Sequence, residues 1–436
     1  MTAHGADEML AEASHLLTFG AGSRLSAGGF GWMDAQGTPM PAHPRPLYVT
    51  GRMTHSFSLG AMLDVPGAGE LADHGIAAIR DLFADAEYGG WFTAVDSDSA
   101  TPADGAKWAY PHAFVILAAS SATLAGRPHA PELLAEALAV FDRYFWDKSM
   151  QMPIEEWDRG FTTSAGYRGA NAAMHSVEAL LAAADASGEA QWAERAAQIA
   201  GRILPAAEQH EWRLPEHYDV AWRPLLEHNS AHKEDPFKPY GATPGHACEW
   251  ARLLLHLESS GAGAGLDLLG AARSLFSRAV DEAWAPDGTN GLIYTVGWDG
   301  APVIRQRLHW VQCEAMAAAT VLHQRTGEPG YAQWRARLWS YIGEHHLDRE
   351  RGSWHHELDE ALRPDARVRP GKADIYHAVQ AMLLPSLPVR ASLARAVHEA
   401  RRLRLPAVQA GRASRPAPDQ GAPTHRGAAP RPDQEK

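Results

Sequence analysis

Asn171 and His175 stand four residues apart in GYRGANAAMHSVEALLAAAD, so on a helix they share a face whose neighbours are Ala, Met and Leu. Similar islands of polarity interrupt other apolar stretches. TGRMTHSFSLG carries Arg52 and His55, KWAYPHAF carries Lys107, Tyr110 and His112, and GYRG adds Arg168. Further along come His246 and Glu249 in TPGHACEW, His309, Trp310 and Glu314 in RLHWVQCEAM, and Asp374, Tyr376 and His377 in ADIYHAVQAM. The set is rich in histidine and poor in carboxylates. A hard cation needs several carboxylate oxygens, and inverting glycoside hydrolysis needs a separated pair of acids, so this composition favours neither. Zinc would call for an HExxH or a Cys/His spacing, and the chain has none. No metal and no cofactor is expected.

Imidazole titrates near neutrality and both takes and gives a proton, so three histidines from distant segments suit proton transfer. Moving a hydrogen between adjacent sugar carbons through an enediol takes two such groups, with a cation or donor to steady the developing oxyanion. His246 and His377 fit the first role and Arg52 the second. Glu249, three residues beyond His246 on one helical face, is placed to fix the tautomer of that ring or to stabilise its charged form. A single histidine in an apolar helix is ordinarily a satisfied core group. What singles out His175, His246 and His377 is their shared position at helix openings. His55 and His112 read as packing or supporting groups, and His345, His346, His355 and His356 as the surface of an outer helix or hairpin. Trp310 and Trp354 suit a core or a sugar platform equally. Lys238, in FKPYG, reads as a solvated loop charge, or as part of a loop folding over a pocket.

Twelve segments must position these groups. Apolar residues recur at three and four spacing near 6–18, 54–64, 71–84, 110–125, 131–145, 169–186, 190–205, 244–259, 266–283, 309–325, 330–346 and 373–385. Odd members such as EAQWAERAAQIAGRIL set regular charges opposite an apolar stripe, as outer helices should. Even members such as AYPHAFVILAASSATL are apolar nearly all round, with their polar residues gathered in the first turns. Six inner and six outer helices make an all-α, (α/α)6 barrel, and parallel inner helices bring their positive N-terminal ends to one face. GLIYTVGWDG from Gly291 and GSWHHELD from Gly352 read as short hairpin arms. The expected catalytic domain is residues 1–389. SLPVRASLARAVHEARRLRLP adds a short basic helix, and residues 390–436 are otherwise expected to form a disordered tail rich in Pro, Ala and Arg.

The chain has 436 residues, 45% hydrophobic and 21% charged, which fits an ordinary globular protein. No apolar run reaches bilayer length and MTAHGADEML has no signal-peptide pattern, so the cytoplasm is the expected compartment and no membrane a partner. A formal net charge of −12 argues against nucleic acid. Cys248 and Cys313 lie in apolar helical patterns and read as reduced, buried thiols. Fifteen tryptophans suit a large core and also the apolar faces of sugars. The expected partner is a small sugar; homo-oligomerisation is left open.

GRMTHSFSLG, GYRGANAAMHSVEALLAA, FKPYGATPGHACEWARLLL, RLHWVQCEA and ADIYHAVQA recur in order across about residues 45–385, and in these the chain resembles the N-acylglucosamine 2-epimerase family, in its aldose–ketose isomerase branch. The resemblance implies an (α/α)6 barrel with a metal-free pocket and an isomerase interconverting D-mannose and D-fructose, with D-lyxose and D-xylulose as further substrates. It assigns Arg52 to the carbonyl-side oxygens and Tyr110, Asn171 and Glu249 to the sugar, with His175 near for ring opening. His377 would take the C2 proton and His246 would manage protons at the C1 and oxygen side; Lys238, Trp310, Glu314 and Trp354 complete the expected sugar contacts. Two departures stand out. Ala173 replaces the second Asn of the usual Asn-Ala-Asn-Met-His, and Lys238 stands where sulfoquinovose isomerases carry an Arg, which weakens grip on a sulfonate. The alternatives are a 2-epimerase of N-acylglucosamine or cellobiose type, a sulfoquinovose isomerase, a glycosidase using Glu249 and Glu314, and a non-catalytic sugar- or protein-binding protein.

Overall fold

Ala109–Leu124 has no wet face, and its polar His112, Ser120 and Ser121 are buried with the rest. Ala190–Gln209 differs. It buries Trp192, Ala196, Ile199, Ala200 and Ile203 at helical spacing and exposes Glu194, Gln198 and Arg202 on the other side. These two kinds of helix alternate along the chain in a computed structural model that describes residues 3–40, 43–96, 101–235, 237–400 and 403–406.

The inner helices are α2 (Leu47–Met62), α4 (Ala109–Leu124), α6 (Ala170–Ser187), α8 (Pro244–Ser260), α10 (His309–Thr326) and α12 (Tyr376–Leu383). The outer helices are α1 (Ala3–Gly20), α3 (Ala68–Ala78), α5 (Ala130–Val140), α7 (Ala190–Gln209), α9 (Leu268–Ala283) and α11 (Pro329–Tyr341). Each inner helix packs on the next, α12 returns to α2, and each outer helix backs an inner one, with α1 against α12. The ring closes as an (α/α)6 barrel. Helices α2 and α4 come close because residue 51 is glycine: a Cβ there would fall 2.9 Å from the carbonyl oxygen of Phe114.

Short antiparallel pairs stitch the mouth of the barrel. Arg45–Pro46 pairs with Ala94–Val95, Lys107–Trp108 with Glu156–Trp157, Tyr167–Gly169 with His217–Asp219, and Arg307–Leu308 with Glu357–Leu358. At each stitch the first amide of an inner helix, otherwise an orphan donor, finds a carbonyl in the next return loop. Leu47 donates to Thr93 at 2.9 Å, Ala109 to Glu155 at 2.8 Å, Ala170 to Glu216 at 2.9 Å and His309 to His356 at 2.9 Å. Buried cations brace the same loops, with Lys107 on Asp85 at 2.9 Å and Lys372 on Asp348 at 2.8 Å.

Three expectations shift. Helix α2 begins at Leu47 rather than near 54, because the hydroxyls of Thr54, Ser56 and Ser58 bond carbonyls one turn back and sit inside the helix as buried groups. Thr295–Val296 pairs with Pro302–Ile304 in a hairpin with a register shift, and the second expected hairpin bridges locally at Leu347–Trp354 and Leu358–Pro364, but its Glu357–Leu358 segment also pairs with Arg307–Leu308 ahead of α10. The packed body also continues past residue 389. Helix α13 (Leu393–Glu399) buries Leu393, Ala394, Ala396 and Val397 against α2, α4 and α6, and its Ser392 cap also donates to Asp185 at 2.6 Å. Residues 407–436 of the expected tail lie outside the described residues.

Candidate active site

The first turns of the inner helices surround a cavity at the stitched end. Arg52 reaches it from α2, Tyr110 from α4, Asn171 and His175 from α6, His246 and Glu249 from α8, His309 and Trp310 from α10, and His377 from α12. Asp374 joins from the residue pair before α12. Ten of the side chains singled out in these segments thus converge.

His246 and His377 both pack against one indole, with ring centroids 5.1 and 5.7 Å from that of Trp310. The indole reaches α8 because residue 245 is glycine, where a Cβ would fall 2.5 Å from the ring. Each imidazole is held through Nδ1 by a carboxylate: His377 by Glu314 at 2.7 Å, His246 by Glu216 at 2.9 Å. An ionised carboxylate only accepts, so Nδ1 carries the hydrogen and Nε2 is left for the cavity.

Behind this layer Arg252 gathers three carboxylates. Its guanidinium donates to Glu314 at 2.9 Å and Glu249 at 3.2 Å, and lies 3.6 Å from Glu178. Glu178 in turn contacts Nδ1 of His175 at 3.4 Å and accepts from the hydroxyl of Tyr376. Ligand-type atoms of Glu249, Glu314 and His377 lie within 4.8 Å of one another, as do those of His175, Glu178 and Glu249. The positive charge at the centre of both groups is the arginine.

Three acids around one arginine do not all ionise. Burial raises Glu314, but Arg252 and His377 outweigh it and hold this carboxyl below its ordinary range. Glu178 is likewise held low by His175, Arg252 and Tyr376 against burial. Glu249 goes the other way: burial and the charge of Glu314 push it well above the carboxylate range, which favours the neutral acid where it faces the cavity. Burial lowers His377 against the pull of Glu314, and lowers His175 to about 4 against that of Glu178. Arg52 donates to Asp374 at 3.1 Å and to the Tyr110 hydroxyl at 2.8 Å, beneath a shell of rings from Phe114, Tyr376 and Tyr48.

Several expected residues lie elsewhere. Trp354 is fully buried outside the cavity, where its indole N–H donates to Glu12 of α1 at 2.8 Å. Glu314 stands behind His377 instead of facing a ligand. Lys238 lines an outer vestibule of about 1400 Å³ that adjoins the cavity, its ammonium 4.3 Å over the ring of Tyr167. Glu249 does not hold His246; Glu216 does. Arg168 bonds the carbonyls of Ala165 and Tyr167, and Lys107 is locked on Asp85. His55 and His112 are packing groups, bonded to Ser121 and the Trp108 carbonyl. His356, expected at the surface, is buried at the cavity wall with its ring 3.8 Å from His309, and His346 is fully buried.

The cavity also takes Trp32, Tyr48 and Arg369, which lacked a signal at the level of sequence. Glu178 and Arg252 had one: each follows a singled-out residue, His175 or Glu249, by three positions on the same helical face.

The chain matches the family model described as N-acylglucosamine 2-epimerase over residues 28–381. It is 46% identical to a D-mannose isomerase of Thermobifida fusca over 389 residues, 89% of this chain and 95% of that protein. A D-mannose isomerase of Pseudomonas cannabina pv. alisalensis is 44% identical over 391 residues, 88% of this chain and 94% of the relative. A crystal structure of a D-mannose isomerase superposes with a TM-score of 0.81 at 27% identity, covering 87% of this chain and 97% of the other.

Proposed function

Because the chain belongs to the N-acylglucosamine 2-epimerase family, we propose that it is an aldose–ketose isomerase interconverting D-mannose and D-fructose, with D-lyxose and D-xylulose as further substrates. The observation that carries this reading is the pair of carboxylate-held imidazoles beside Trp310 in one cavity.

The open-chain aldose lies between the two rings. Nε2 of His377 takes the proton from C2 while the C1 carbonyl oxygen gains one from the imidazolium of His246, giving the cis-enediol. His246 then takes the O2 proton as His377 returns its own to C1, so both rings end as they began. Arg52 and the neutral acid Glu249 steady the oxygens as they gain charge. Tyr110 and Asn171 hold the sugar; Oδ1 of Asn171 is buried without a hydrogen-bond partner among the described residues, ready for a sugar hydroxyl. His175, held by Glu178, serves ring opening, and Trp310 offers its face to the sugar. Lys238 acts from the vestibule. No metal or cofactor enters this scheme, since Arg252 supplies the cation among the buried acids.

Among the described residues no helix is long and apolar enough to cross a membrane. We propose a cytoplasmic setting, in which the buried thiols of Cys248 and Cys313 stay reduced.

The test is incubation with D-mannose in the presence of EDTA, in D2O, followed by NMR. The expected product is D-fructose, with deuterium at C1 in so far as the proton held by His377 exchanges with solvent before it returns. D-Glucose carrying deuterium at C2 would make the enzyme an epimerase, and bound but unchanged sugar would make it a binding protein.

A further inference from the structure

The two imidazoles are held by carboxylates of different standing. Glu314 lies on α10 behind His377 and is itself held by Arg252 at 2.9 Å. Glu216 comes from the return loop after α7, outside every helix, and among the described residues the basic side chain in ion-pair reach of its carboxylate is His246. Its place is nonetheless fixed. The carbonyl of Glu216 accepts the first amide of α6 at 2.9 Å, and the neighbouring Gly169 and His217 are paired strand residues. His217 ties the same loop forward to Pro239, with Nε2 2.8 Å from that carbonyl, just ahead of α8 where His246 resides. Glu155 occupies the matching position one repeat earlier, its carbonyl accepting the first amide of α4, but spends its carboxylate on the amide of Gly169 at 2.9 Å. In this repeat the carboxylate reaches an imidazole instead.

We propose that Glu216 is the positioning residue of His246: it fixes Nδ1–H, aims Nε2 at the sugar oxygens, and stabilises the imidazolium form that donates to them. The inference rests on the isomerase reading for its kinetic consequence, but the dyad itself is testable without turnover. With His377 needed as the free base and His246 as the charged acid, the alkaline limb of the rate profile belongs to His246. An acceptor that keeps its charge holds that limb up; a neutral one lets it fall. The other titratable groups around the cavity are Glu249 on the same helix, Arg52 and Tyr48 on α2, Tyr110 on α4, His175 on α6, His309 on α10, His356 in the loop after α11, Arg369 and Asp374 before α12, and His377 on α12. None of these is substituted in the test, so a change in the limb reports Glu216.

The experiment compares wild type with Glu216→Gln and Glu216→Asp. In protein labelled with 15N-histidine, loss of the carboxylate in Glu216→Gln is expected to move the His246 titration to lower pH than in wild type. Nδ1 remains the protonated nitrogen, since the amide oxygen still accepts. In turnover the same variant is expected to lose about 10- to 100-fold in kcat with KM little changed, and its alkaline limb to follow the NMR shift. Glu216→Asp keeps the charge and should restore the limb. A His246 titration unmoved by Glu216→Gln overturns the proposal, and so does a lower kcat with an unshifted limb, which is what a purely structural loop residue would give. Wild type that titrates as expected but makes no ketose would sink the isomerase reading and leave the dyad standing.

Discussion

Nδ1 of His377 and Oε1 of Glu314 lie 2.7 Å apart across the seam between α12 and α10, both buried. Because Glu314 is kept ionised by Arg252, the imidazole is fixed in one tautomer with its basic nitrogen toward the cavity. Replacing Glu314 by Gln keeps the shape and removes the charge. Steady-state kinetics on D-mannose are expected to show kcat down by about 10- to 100-fold with KM changed less than threefold. A large rise in KM alone would return Glu314 to sugar binding.

His377→Ala and His246→Ala should each lower isomerisation by about 100- to 10,000-fold while far-ultraviolet circular dichroism and Tm stay near wild type. Retained turnover in either variant removes that ring from the mechanism.

The pH profile has a defined direction. A base works unprotonated, and burial holds His377 below the ordinary imidazole value of 6.5. The acid limb of kcat/KM is therefore expected below pH 6.5, and a limb above it would mean that His377 is not the titrating base.

Glu249 bears on stability. A carboxyl raised in the folded state contributes stability that is fully present below its unfolded value and is lost as pH rises through the folded one. Wild type should therefore lose stability as pH climbs above 4.5 toward the raised value, and Glu249→Gln, an isostere of the neutral acid, should not. Thermal unfolding from about pH 5 to about pH 9 checks it: the variant's Tm should gain on wild type toward the alkaline end. Parallel curves would show Glu249 ionised in the fold.

The body reaches beyond Val389 into α13. Leu393→Ala is expected to cost about 2 kcal/mol in chemical denaturation, because its side chain is buried against the barrel. An unchanged midpoint would make α13 an appendage.

The barrel was legible because inner and outer helices bury different fractions of their surface, and that leaves a period in the sequence: AYPHAFVILAASSATL and EAQWAERAAQIAGRIL announce their layers. Helix openings were legible for the same reason, since a buried polar residue in an apolar helix needs an explanation. What the pattern could not carry was partnership. Glu249 and His246 share a face, yet the partner of His246 arrives from a loop thirty residues earlier in the chain, where no periodicity ranks one glutamate above another. Trp32, Tyr48, Arg369 and His356 were missed for related reasons, most of them standing at irregular segments brought in by closure of the ring. Trp354 failed differently, since a large flat ring satisfies a core as readily as a ligand, and here its N–H found Glu12.

The stitches at the barrel mouth bear on redesign. Four return loops carry the carbonyl that closes the preceding inner helix, as Thr93 does for Leu47 and Glu216 for Ala170. A loop transplanted alone from a relative would sever the hinge-pin of its neighbour. Exchange of substrate preference by grafting should therefore move consecutive loops together, as interlocking staves are moved in a cask.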